Sequence, residues 1–190
     1  KLIKPLFLDE LWAEFENIKN NKNKLPEFHK KISLLKFLDP ACGCGNFLVI
    51  TYRELRLLEI AVLRALNKSG QGFLDVSEII WLDVDMMGGI EYEEFPARIA
   101  EVAMWLIDHQ MNMLISNEFG QYFARLPLKK SAKIVHGNAL QVDWETVIQK
   151  INFHILLLKG FDIICKKLNL VFSEYIFVSC HCFSTIADHK

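Results

Sequence analysis

The apolar positions of this chain change their spacing several times, and each change marks an element. Ile3, Phe7, Leu11, Phe15 and Ile18 recur at helical spacing and predict a helix over residues 2–19. A loop rich in lysine and asparagine (20–25) and a short helix (27–33) follow. Leu35, Phe37 and Leu38 form an apolar run that stops at Asp39-Pro40. Proline cannot donate to a sheet ladder, so a strand is predicted over 35–39. Leu48, Tyr52, Leu55, Leu58, Val62 and Leu66 then give a long helix over 46–67, with Asn46 as its expected cap. After an irregular insert (68–85), a strand over 87–92 leads into a helix over 95–119. Ile99, Val102, Leu106 and Met113 mark one face of that helix, Pro96 suits its first position and Gly120 its end. A short strand or hairpin (121–136) and a small helix (143–149) come next.

Alternating strands and helices predict an α/β fold, a Rossmann-like doubly wound parallel sheet that is incomplete in this chain. The expected divisions are an N-terminal helical segment (1–33), a ligand-binding part (34–150) and a tail (151–190), which the family resemblance given below implies to be divergent or frame-changed. In the tail, Leu156-Leu157-Leu158, Ile163-Ile164, Val171-Phe172 and Tyr175 to Val178 form short β-prone windows. Such windows are an aggregation hazard.

The chemistry is concentrated at three strand ends. In the first, Asp39-Pro40-Ala41-Cys42-Gly43-Cys44-Gly45-Asn46-Phe47 joins a strand to a helix. Glycines there permit a tight turn, and the helix start aims backbone amides at a bound ligand. The dinucleotide fingerprint fails, because its third glycine is Leu48. In the second, Gly89-Ile90-Glu91-Tyr92 follows Met86-Met87, and a carboxylate at a strand end can accept two hydrogen bonds from a ribose diol. Glu93 and Glu94 read as surface acids that compensate the helix dipole. In the third, Ile134-Val135-His136-Gly137-Asn138-Ala139-Leu140 is a β-rich run ending in Gly-Asn, with Asp143-Trp144 beyond.

Taken together and in this order, the three strings resemble the DNA adenine-N6 methyltransferases. The stretch from Gly89 through Trp144 resembles the large enzymes of type I and type IIG restriction–modification systems. The resemblance implies S-adenosylmethionine as cofactor. By it, Asp39, Pro40, Ala41, Gly43, Gly45 and Asn46 belong to the turn that holds the methionine end. Glu91 takes the ribose, Tyr92 lies against the adenine, Asn138 binds the adenine amino group and the Ala139 amide meets a ring nitrogen.

The resemblance also implies an Asn/Asp-Pro-Pro-Tyr/Phe motif that holds the flipped target adenine. This sequence has five prolines, none adjacent to another, and Phe161-Asp162-Ile163-Ile164 is followed by Cys165-Lys166-Lys167-Leu168. No catalytic residue is therefore assigned, and the chain alone is expected to be inactive. The resemblance also implies a threonine-containing segment that flanks the methionine pocket just before the first helix, and with the sequence beginning at Lys1 that side of the pocket is expected to be unbuilt. Two alternatives stand beside this reading: a non-catalytic remnant or interaction subunit, and a methyltransferase for RNA or protein. Asn46-Phe47 and the long helix after Glu91 argue against the last.

Composition adds bounds. The chain of 190 residues is 52% hydrophobic and 24% charged, which suits a globular core. A soluble, cytoplasmic protein without a membrane span is expected, bacterial by the resemblance. Five cysteines without framework spacing suggest reduced thiols, and neither Cys42-x-Cys44 nor Cys180-His181-Cys182 has a partner pair for zinc, so no metal is expected. His109 reads as a helix-surface or packing residue. The run from Lys19 to Lys31 offers either phosphate contacts or a solvated loop, and a net charge of −1 gives no nucleic-acid signature. DNA is the expected partner by resemblance, through regions absent here, with a specificity subunit or a fused recognition domain.

Overall fold

The computed structural model describes residues 7–67, 76–120, 131–147, 155–157 and 176–178. Two helices, α1 (Asp9–Ile18) and α2 (Lys24–Ser33), precede strand β1 (Phe37–Asp39). The long helix α3 (Asn46–Leu66), the short α4 (Val76–Ile79) and a 3-10 turn (Val84–Met86) lead to β2 (Met87–Glu91). Helix α5 (Glu94–Phe119), strand β3 (Lys133–His136) and the short α6 (Trp144–Val147) follow. The strands β4 (Ile155–Leu157) and β5 (Ile176–Val178) come last.

β1, β2 and β3 form one parallel sheet in that order, with Asp39 opposite Gly89 and Glu91 opposite His136. β4 and β5 form a separate parallel pair, Ile155 opposite Ile176, and β4 runs beside β1. Parallel neighbours need a crossover, and α3 and α5 supply it by packing together on one face of the sheet. Phe37 and Met87 meet Leu48, Tyr52, Leu55, Met104 and Ile107 in that core. Alternation along the strands sends Leu38 and Ile90 to the other face. There they pack with Val147 against Val135, Ala139, Val142 and Trp144.

Within the core lies a buried polar cluster that the apolar pattern did not announce. Arg56, fully buried on α3, donates to the Leu82 carbonyl at 2.7 Å, to Asn112 Oδ1 at 2.9 Å and to the Tyr52 hydroxyl at 3.2 Å. Tyr52 in turn donates to Asp108 Oδ1 at 2.6 Å. Glu59 Oε1 accepts the Trp81 and Leu82 amides at 2.8 and 3.0 Å and lies 3.0 Å from His29 Nε2. His29 stacks flat on Trp81, ring centres 4.2 Å apart. The cluster therefore fixes α2, α3, α5 and the approach to β2 against one another.

Several sequence expectations need correction. α2 starts at Lys24, three residues before the expected position, and Pro26 falls in its first turn, where its missing N–H costs nothing. The N-cap of α3 is Gly45 in a left-handed conformation; Asn46 is the first helical residue and is exposed. α5 begins at Glu94, so Pro96 is its third residue rather than its first. The arrangement is harmless because the first amide to bond back is that of Ala97, to Glu93 O at 3.3 Å. The largest correction concerns the face of α5. It buries Ala97, Ala100, Met104, Ile107, Met111 and Ile115, while Ile99, Val102, Leu106 and Met113 are exposed. The two stripes lie about half a turn apart, and apolar periodicity alone could not choose between them. Gly120 does end α5, in a left-handed conformation. Of the strand or hairpin expected over 121–136, the described part contains the strand β3, paired parallel to β2. The expected start of the first helix, the stretch 121–130 and nearly all of the tail, including Cys165 to Leu168 and Cys180 to Cys182, lie outside the described residues.

Candidate cofactor site

Parallel pairing carries the three strand ends to one edge of the sheet. β1 ends at Asp39, which is buried and whose Oδ1 accepts the Ala41 amide at 3.1 Å, so the chain folds over just past Pro40. Two residues of positive φ, Gly43 at 54° and Gly45 at 78°, complete the turn, a conformation that costs other residues a steric penalty. Gly45 N–H bonds Cys42 O at 2.8 Å, and Gly45 O accepts the Val49 amide at 2.9 Å to open α3. The amides of Asn46, Phe47 and Leu48 precede the first intrahelical bond, so the positive end of the helix faces the same edge.

The turn is tied to β2 twice. Cys42 N–H donates to Ile90 O at 3.1 Å, and Gly43 N–H donates to the Glu91 carboxylate at 2.7 Å. The other carboxylate oxygen accepts the Glu93 amide at 3.1 Å. A carboxylate offers about four acceptor positions. These two amides orient Glu91 while leaving acceptor capacity on both oxygens. The next residue, Tyr92, is 68% exposed, so its ring is open to a flat ligand.

The third strand end joins through the Glu91 backbone, whose carbonyl accepts the Gly137 amide at 2.8 Å. Asn138 Oδ1 accepts the Leu140 amide at 2.9 Å, and Asn138 O accepts the amides of Gln141 and Val142 at 2.8 and 2.9 Å. Ala139 O is held by Trp144 Nε1 at 2.7 Å. Asp39, the turn and Glu91 thus share one edge of the sheet through direct hydrogen bonds, and Asn138-Ala139 join it through Gly137.

Two carboxylates, Asp39 and Glu91, act on the turn from this edge. The Cys42 thiol is pushed up to about 12 by its burial, by Asp39 and by Glu91, against its own backbone hydrogen bond. Sequence reasoning missed the role of Cys42 as a spacer beneath the turn, and missed Arg56, Glu59, Asp108 and Asn112 as the scaffold behind it. Polar residues recurring on an otherwise apolar helical stripe, such as Tyr52 and Arg56, were the available signal. His109 is exposed on α5, away from the site. Among the described residues no group of histidine, cysteine or carboxylate side chains is placed to hold a metal ion, and no helix is long and apolar enough to cross a membrane.

Comparisons with known proteins identify the family. The family described as MmeI, DNA-methyltransferase domain, matches residues 15–163. DNA methyltransferase A of Bacillus subtilis (strain 168) is 38% identical over 148 residues, covering 77% of this chain and 16% of that protein. A putative type II restriction enzyme and methyltransferase of Methanocaldococcus jannaschii is 27% identical over 100 residues, 52% of this chain and 8% of that protein. The solved structure of the type IIL restriction–modification enzyme MmeI in complex with DNA superposes with a TM-score of 0.76 at 64% identity. That superposition covers 83% of this chain and 21% of the enzyme. The matched part of the chain thus spans less than a quarter of each relative's length.

Proposed function

The chain belongs to the MmeI DNA-methyltransferase domain family, and from that premise we propose that it is the S-adenosylmethionine-binding portion of a site-specific DNA adenine-N6 methyltransferase of a restriction–modification system. The observation that carries the reading is the Glu91 carboxylate, fixed by the Gly43 and Glu93 amides beside a left-handed glycine turn. Ligands of open parallel sheets sit outside the carboxyl ends of the strands, where these groups meet. The parallel order of β1, β2 and β3, with β4 beside β1, supports a Rossmann-like doubly wound sheet of which residues 34–150 form the cofactor part.

The residues fit the cofactor chemically. Asp39 and the turn from Pro40 to Asn46 would hold the methionine end. Glu91 would use its remaining acceptor capacity for the ribose hydroxyls, and the exposed Tyr92 ring would cover the adenine. Asn138 Oδ1 retains a second lone pair for the adenine amino group, and the Ala139 amide would meet a ring nitrogen. The carboxylates of Asp39 and Glu91 at this edge would also favour a cationic ligand. When bound, S-adenosylmethionine supplies a methyl group on a positively charged sulfur.

Methyl transfer to adenine needs groups that accept the amine's hydrogens and hold the flipped base. After Phe161 to Ile164 this sequence carries Cys165, Lys166, Lys167 and Leu168, and lysine offers no acceptor. This supports reading residues 34–150 as the cofactor-binding portion, with DNA recognition proposed for a fused recognition domain or a specificity subunit. Equilibrium dialysis with tritium-labelled S-adenosylmethionine and mixed-sequence plasmid DNA tests both halves. The label should be retained by the protein and displaced by unlabelled cofactor, with none transferred to DNA. No retention would refute the binding role. Transfer to DNA that Asp39→Ala abolishes would refute the assignment of inactivity.

A further inference from the structure

Gly45 and Ala100 touch where the cofactor turn meets α5. A Cβ placed on Gly45 would lie 3.0 Å from Ala100 Cβ, 3.2 Å from Ala100 Cα and 3.7 Å from Ala100 O. Ala100 is fully buried. Glycine against alanine is close to the smallest spacer two chain segments can have, so any larger side chain at position 100 must displace the turn or α5.

Neither side has room to give. The turn is held by Gly45 N–H to Cys42 O, Cys42 N–H to Ile90 O and Gly43 N–H to Glu91. Beneath it, the Cys42 side chain rests on β2 so closely that a Cβ at Gly89 would fall 2.8 Å from its sulfur. On the other side, α5 is anchored through Asp108 and Asn112 to Tyr52 and Arg56 of α3. α5 also carries, at its N-cap Glu93, the second amide that fixes the Glu91 carboxylate. Displacing α5 from the turn therefore pulls Glu91 away from Gly43.

We propose that Ala100 is a positioning residue for the cofactor: a side chain no larger than methyl at this position lets α5 lie close against the turn, and so keeps the Glu91 carboxylate against the Gly43 amide. This rests on the turn being the cofactor cradle, and the experiment separates the two claims. It compares the full chain with Ala100→Gly, Ala100→Ser, Ala100→Val and Met111→Ala. Met111 is a buried residue on the same helix, about 16 Å farther along its axis. Three properties are read: thermal midpoint, calorimetric titration with S-adenosylmethionine, and hydrogen exchange of the amides in residues 41–49.

Ala100→Gly and Met111→Ala should lower the midpoint yet leave affinity within about twofold of wild type, a change of roughly 0.4 kcal/mol in binding. Ala100→Val should weaken binding at least about tenfold and speed exchange in the turn while the far end of α3 is unaffected. Ala100→Ser, the milder step, should lie between and serves if the valine variant does not fold. Affinity that simply tracks the midpoint across all four variants would overturn the proposal. So would unchanged turn exchange in both the valine and serine variants. If wild type gives no heat with the cofactor, the cofactor reading fails, and the exchange pattern still decides whether Ala100 spaces the turn.

Discussion

The Glu91 carboxylate accepts the Gly43 amide at 2.7 Å although 48 residues separate them in sequence. One hydrogen bond thus joins the end of the first strand to the end of the second. The same residue accepts the Gly137 amide on its carbonyl, so the third strand end is tied in as well. Hydrogen bonds of the chain itself thus tie the three strand ends together, which lowers the ordering cost that binding there would otherwise carry.

Cys42 and Cys44 should differ sharply in reactivity. Cys42 is buried and its thiol is pushed up to about 12, so almost no thiolate exists near neutral pH; Cys44 is exposed. Iodoacetamide at pH 8, followed by peptide mass analysis, should alkylate Cys44 and spare Cys42, and bound cofactor should slow the reaction at Cys44. The raised thiol also sets a pH dependence. Folding holds the Cys42 proton up to about 12, whereas the unfolded thiol releases it near 9.0, so this contribution to stability is intact below pH 9 and lost as pH rises toward 12. Cys42→Ala should remove that alkaline loss in urea denaturation at pH 8 and pH 10.5.

Arg56 should be among the most sensitive positions in the core. Burial alone pushes its guanidinium down, but Tyr52, Glu59, Asp108 and Asp83 more than offset this, and it stays charged. Arg56→Met would strand Asp108 and Glu59 without their cation, and breaking a buried pair in this way costs about 3–5 kcal/mol. Chemical denaturation should show a loss of that order. A loss below about 1 kcal/mol would mean that the cluster is a passive filler.

The two apolar stripes of α5 should respond differently to substitution. Met104→Ala opens a cavity and should cost about 2–5 kcal/mol. Leu106→Lys, on the exposed stripe, should change stability by less than about 0.5 kcal/mol. Thermal melts of both variants check the assignment of faces, and the reverse ranking would contradict it.

Much of the fold was legible because its signals are local. The 3.6-residue spacing of Leu48, Tyr52, Leu55 and Leu58 fixed α3, and Asp39-Pro40 fixed the end of β1. The three ligand strings were legible as strings, and the parallel register then explains how residues as distant as Asp39 and Asn138 share one edge. Three things were hidden for physical reasons. α5 is apolar on two opposite sides, so its buried face depends on what packs against it. Gly45 caps α3 through backbone conformation, which leaves no side-chain mark. The Arg56 cluster joins residues from α2, α3, α5 and the segment before β2, and a pairing over such distances has no short-range signature.

The central claim is that this sheet edge binds S-adenosylmethionine through Glu91. Isothermal titration of the wild-type chain and of Glu91→Ala with S-adenosylmethionine tests it most directly. Removing the carboxylate takes away charge-assisted hydrogen bonds worth about 1.5–3 kcal/mol, so affinity should fall about ten- to a hundredfold. Measurable and equal affinity in the two proteins would contradict the account.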